Sequence, residues 1–77
     1  MQHYELKDEW KKVLLVFGFV PIGTVLTIDD ICNDTEYDYA KAGVYIKALI
    51  SRGMLRIVNA QNYIITDTGL EELEGLI

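Results

Sequence analysis

The sequence is poor in the residues that build most rigid sites. It has one cysteine, Cys32, and one histidine, His3, among 77 residues. A single thiol closes no internal disulfide, and neither residue has a second ligand at the spacing of a zinc site. Cys32 is therefore expected to be a small buried apolar side chain, and no metal or cofactor is expected. Proline occurs once and glycine six times, without clustering, so no linker divides the chain. Long apolar runs are also lacking. The longest covers residues 13–20, is broken by Gly18, and falls far short of the roughly 20 residues of a membrane span. Glu5, Asp8 and Glu9 precede it, the wrong sign for a secretion signal. The expectation is a soluble, cytoplasmic protein with no membrane partner. Met1 and the lack of a tag read as a complete small protein. No glycine-rich phosphate loop, nucleophile–base pair or paired-carboxylate site is present, which argues against an enzyme. The acidic residues between positions 29 and 38 lack the central glycine and closing glutamate of a calcium-binding loop, and read as capping and solubility.

What is present is globular. Hydrophobic residues make up 51% and charged residues 25% of a length that suits one domain over residues 1–77. The formal net charge is −5, which by itself opposes nucleic-acid binding. The charge is segregated, however. Residues 39–66 carry Lys41, Lys47, Arg52 and Arg56 and no acid, while all 12 acidic residues lie outside that stretch.

Periodicity supplies the elements. Leu6, Trp10, Val13, Leu14 and Phe17 recur on one helical face, predicting a helix over residues 4–17 with Trp10 in the core. Leu15, Val16 and Phe19 widen that face, which suggests burial on two sides and pairing of two copies along this helix. Thr24, Val25 and Leu26 predict a short strand. Thr27 caps a helix over residues 28–33, with Ile28, Ile31 and Cys32 as its apolar side. Asp38 caps a third helix over residues 38–52, built on Ala42, Ile46 and Leu49 with Tyr45 and Ile50 beside them, and Gly53 ends it. Residues 54–58 and 62–65 predict a hairpin around Asn59, Ala60 and Gln61. Thr66 then opens a short last helix whose apolar side is Leu70, Leu73 and Leu76.

This order is an α+β fold: a three-helix core, a two- or three-stranded β-wing and a short C-terminal helix. The helix-turn-helix would occupy residues 27–52 and the wing residues 54–66. Three patterns extend the reading. Leu26-Thr27-Ile28-Asp29-Asp30-Ile31-Cys32 enters the second helix from a strand. Ala42, Ile46, Leu49, Gly53, Met54 and Leu55 form the third helix, its stop and the start of the wing. Tyr63-Ile64-Ile65-Thr66-Asp67-Thr68-Gly69-Leu70 leads from a strand into the last helix. Over residues 26–73 the chain resembles winged helix-turn-helix transcription regulators of bacteria and archaea, such as the multiple-antibiotic-resistance and phenolic-acid-decarboxylase regulator families. The resemblance implies a regulator that binds double-stranded DNA with the third helix and the wing. Carried onto this chain, the DNA-binding residues would be Tyr39, Lys41, Val44, Lys47, Arg56, Asn59 and Gln61, with Ala40, Gly43, Ser51 and Asn62 on the same surfaces. The chain departs from that pattern in lacking Arg, Asn or Gln on the helix face, and in holding Asp29, Asp30, Asp34, Glu36 and Asp38 nearby. The alternative is a winged-helix protein–protein interaction module, such as an accessory subunit or a small acidic phage- or virus-type inhibitor of a host complex. Tyr37 and Tyr39 would then anchor the interface.

Overall fold

The computed structural model describes the backbone of residues 3–76 and the side chains from Glu9 to Leu76. His3 and the first residue of the expected apolar stripe, Leu6, have side chains outside the described residues. Four helices and three strands follow one another: α1 (His3–Val16), a 3-10 turn (Phe17–Phe19), β1 (Leu26–Thr27), α2 (Ile28–Thr35), α3 (Tyr39–Ser51), β2 (Leu55–Asn59), β3 (Asn62–Ile65) and α4 (Asp67–Leu76). The chain is thus α+β. The strands form one antiparallel sheet in the order β1-β3-β2, with Leu26 opposite Tyr63 and Leu55 opposite Ile65. No helix among the described residues is long and apolar enough to cross a membrane.

The core gathers apolar side chains from every element. Val13, Leu14, Val16, Phe17, Ile31, Ala42, Ile46, Leu49, Leu55 and Leu73 are buried. α1 packs against α2, α3 and α4, and its Val13, Leu14 and Val16 are buried by them. Trp10 sits at the rim of this core, half-buried. Phe19 does not join the helix face, because α1 ends at Val16 and the 3-10 turn carries the ring outward, 85% exposed.

Local chemistry sets the element ends. Thr27 and Asp30 form a reciprocal cap on α2: Asp30 N–H donates to Thr27 Oγ1 and Thr27 N–H to Asp30 Oδ2, each at 3.1 Å. α2 runs two residues past the expected end. The buried Thr35 donates its hydroxyl to the Ile31 carbonyl at 2.7 Å, which makes a polar side chain tolerable in the core. Glu36 then stops the helix in the left-handed region at φ 66°, with no glycine to announce it. β1 also lies later than expected. Thr24 gives both its N–H and its hydroxyl to the Pro21 carbonyl, at 3.1 and 2.7 Å, and so belongs to a turn. Asp38 caps α3 by accepting from Lys41 N–H at 2.8 Å. At the other end Gly53, at φ 75°, closes a Schellman pair: Met54 N–H donates to Leu49 O and Gly53 N–H to Ile50 O, both at 2.9 Å. β2 begins one residue later and ends one residue later than expected, with an irregular register between Ile57 and Asn59.

Thr66 and Gly69 join the hairpin to α4. Thr66 N–H donates to the Met54 carbonyl at 3.0 Å, its hydroxyl donates to the Gly53 carbonyl, and Gly69 N–H donates to Thr66 Oγ1 at 3.1 Å. A Cβ on Gly69 would stand 2.2 Å from the Met54 carbonyl oxygen and 2.6 Å from Ile65 Cγ1. Gly69→Ala is therefore expected to lower stability by about 3 kcal/mol or more, because backbone must move. Gly43→Ala meets nothing within 4 Å inside a helix, and is expected to raise stability by roughly 0.5–1 kcal/mol. Urea or thermal melts of the two variants check both signs.

Candidate nucleic-acid interface

The expected site residues lie on α3 and the hairpin, but the fold does not present them alike. Ala42, Ile46 and Leu49 face the core, so the stripe diametrically outward is Ala40, Val44, Lys47 and Ser51, all exposed. Val44 is 63% exposed. Lys47 makes no ion pair among the described residues. Arg56 is exposed on β2, and Arg52 at the end of α3 is likewise unpaired among the described residues. This part of the expected set is available to a partner.

Lys41 and Tyr39 are also exposed, but both are engaged within the chain. They lie on the two flanks of α3, each turned to a carboxylate of a neighbouring helix. The Lys41 ammonium is 3.2 Å from Glu9 Oε2 on α1 and 4.6 Å from the centre of the Tyr37 ring. The Tyr39 hydroxyl donates to the Asp29 carboxylate on α2. At the hairpin tip, the Asn59 side-chain carbonyl accepts from the Asn62 amide. The Gln61 carbonyl accepts from Ile28 N–H at 3.2 Å, which seats the tip beside the start of α2. Gln61 leaves its side chain exposed. The structure therefore groups Val44 and Lys47 on one stripe, keeps Arg56, Asn59 and Gln61 on the hairpin, and places Lys41 and Tyr39 on the flanks, exposed but each in contact with a carboxylate.

Glu9 organises a cluster that sequence pattern does not reveal. Tyr45 donates its hydroxyl to Glu9 Oε1 at 2.6 Å, and Tyr37 donates to the Glu9 backbone carbonyl at 3.2 Å. The Tyr37 and Tyr45 rings are tilted at 44° with centres 5.9 Å apart, and Lys12 lies 5.4 Å from the Tyr37 ring. The Tyr45 and Lys41 hydrogen bonds hold the Glu9 carboxyl below its ordinary range. Reciprocally, the Glu9 hydrogen bond, with burial, pushes Tyr45 up to about 12. Glu9 lies 32 and 36 residues from its two side-chain partners, outside any local spacing rule.

The acidic group is less bare than its composition implies. Asp30 and Asp38 turn onto the N-termini of α2 and α3, and Asp29 accepts from Tyr39. Each carboxylate at a helix start is partly offset by the positive end of the helix. Asp34 and Glu36 remain exposed. Cys32 is half-buried and not, as expected, buried; α2 turns it toward an open recess of about 540 Å³ shared with Asp29, Asn33, Tyr37, Asp38 and Tyr39. Burial, then Asp29 and Asp38, push its thiol up, which disfavours the thiolate.

The raised Tyr45 predicts a pH dependence. A tyrosine whose folded pKa lies above its unfolded value stabilises the fold fully below about 10, and that contribution is lost as pH rises through about 12. Glu9→Gln is expected to bring the last-titrating tyrosine back toward the ordinary value near 10, read as phenolate absorbance. A titration unchanged by Glu9→Gln would exclude the Glu9–Tyr45 bond. No protein-family model matches the chain, and a search of curated proteins finds none similar to it.

Proposed function

We propose that this chain is a winged helix-turn-helix protein that binds duplex DNA, with α2 and α3 as the helix-turn-helix and the β2–β3 hairpin as the wing. The observation that carries the reading is the acid-free stretch over residues 39–66, in which Lys47, Arg52 and Arg56 are exposed and have no ion pair among the described residues. α3 would lie in the major groove. Its small outward stripe lets the helix come close to base edges: Ala40 and Val44 suit a thymine methyl, and Lys47 suits guanine or phosphate. Arg56, with Asn59 and Gln61, would follow the backbone. Lys41 and Tyr39 take no direct part, being held by Glu9 and Asp29. The capped positions of Asp30 and Asp38 make a nearby phosphate backbone tolerable.

With Lys47, Arg52 and Arg56 each meeting a phosphate, log affinity is expected to fall with log salt at a slope of about −2.7. Lys47→Gln should reduce that slope by about 0.9, whereas Lys41→Gln should leave it within error. Fluorescence anisotropy of a labelled random duplex, from low to physiological salt, measures all three. Equal losses from the two substitutions would reject this docking.

A second reading is a protein-interaction module. It is favoured by the exposed apolar Val44 beside Ala40 on the α3 outward stripe and by the exposed Asp34 and Glu36. An absence of duplex binding at low salt would make it the working reading.

A further inference from the structure

Residues 13–28 contain no charged side chain. The first part of this segment enters the core, and the part after Phe17 does not. Phe19 is 85% exposed and Ile22 79% exposed, the two barest large apolar side chains among the described residues. Isolated apolar side chains at a surface need no explanation, but Ile22 lines a groove and Phe19 lies between two residues that line it, Gly18 and Val20. Its walls are Phe17, Gly18, Val20 and Ile22 on one side and Leu70, Leu73 and Glu74 of α4 on the other, enclosing about 220 Å³. A Cβ on Gly18 would stand 3.3 Å from Leu73 Cδ2, so the missing side chain lets the turn lie close on α4. The volume is below the roughly 300–1,000 Å³ of a small-molecule pocket, and suits one anchoring side chain.

The rim decides which partner fits. α4 carries Asp67, Glu71, Glu72 and Glu74 and no cation, and the facing segment supplies none. The groove is therefore apolar at its floor, with Glu74 in its wall and the other α4 carboxylates on the same helix. A second copy is a poor complement, since a shared two-fold contact would set α4 carboxylates against α4 carboxylates. We propose that this groove docks a protein partner that presents a large apolar side chain flanked by lysine or arginine, as the face of a basic amphipathic helix does. The apolar anchor would fill the space between Gly18 and Leu70 beside Ile22, the neighbouring Phe19 would add apolar contact at the rim, and the basic flanks would meet Glu74 and, one turn before it on α4, Glu71. None of the groove residues belongs to α3 or the hairpin, so this site is independent of the proposed DNA surface.

The test uses the full chain, isotopically labelled, with two synthetic helical peptides. Both carry the same leucine and phenylalanine face, and differ only in having lysine or glutamate elsewhere. The lysine peptide is expected to shift the amides of residues 17–22 and 70–74, with an affinity that falls as salt rises. The glutamate peptide should shift neither group. Phe19→Ser and Glu74→Lys, both at exposed positions, should each weaken the lysine peptide by about tenfold or more while leaving the thermal melt unchanged. Equal shifts from both peptides, shifts confined to α3 or the hairpin, or no shift at millimolar peptide would overturn the proposal. So would a doubling of mass in light scattering that Phe19→Ser abolishes, since it would assign the groove to a second copy.

Discussion

The close approach of α4 to the Met54 carbonyl is the constraint on which the fold depends. Three chain segments meet there: the end of α3, the start of β2 and the turn after β3. Thr66 holds two of them by donating to the carbonyls of Met54 and Gly53, and its own oxygen accepts from Gly69. Gly69 has no Cβ, and the space where one would stand is already filled by the Met54 carbonyl oxygen and Ile65. The junction fixes where α3 ends and where the hairpin begins. It thereby sets the angle between the two elements that would face DNA. It also orients α4, whose Leu73 completes the core against α1 and whose outer side carries the acids.

Glu9 plays the corresponding part on the other side of α3. A half-exposed ion pair such as Glu9–Lys41 adds little to stability, because solvent screens it. Its effect is on where charge is available. By accepting from Lys41 and Tyr45, Glu9 ties α1 to the flank of α3 and partly offsets one cation of the basic stretch. The phenol of Tyr45 stays neutral to about 12, so the cluster presents no new charge at neutral pH. Asp29 does the same to Tyr39 on the opposite flank. What is left between them is a stripe of Ala40, Val44, Lys47 and Ser51.

Charge is therefore sorted by folding into separate regions. Among the described residues, exposed cations without an ion pair lie on α3 and the hairpin, and α4 carries four carboxylates and no cation. A net charge of −5 is compatible with the proposed duplex contact only because of this sorting, and the acidic α4 edge gives the same small domain a second surface of opposite preference. The two would act without sharing a residue.

The element order, the caps at Thr27, Asp38 and Thr66 and the stop at Gly53 were all legible in the sequence, because each rests on interactions within a few residues. The core face of α3 was legible for the same reason: Ala42, Ile46 and Leu49 repeat at helical spacing. Where the helix or strand ends lacked a local mark, they were displaced. Glu36 stops α2 without a glycine, and Thr24 leaves β1 because Pro21 takes its donors. The site was legible only as a list of candidates. Seven residues shared two elements, but which of them face outward depended on Glu9 and Asp29, whose partners are distant in sequence or on a different helix. Phe19 read as part of a helix face, and the turn after Val16 put it in water beside a groove. Periodicity determines which side of an element is apolar. Only the packing of elements against one another decides which charges are already paired and which apolar side chains are left uncovered, since both depend on contacts that close long loops.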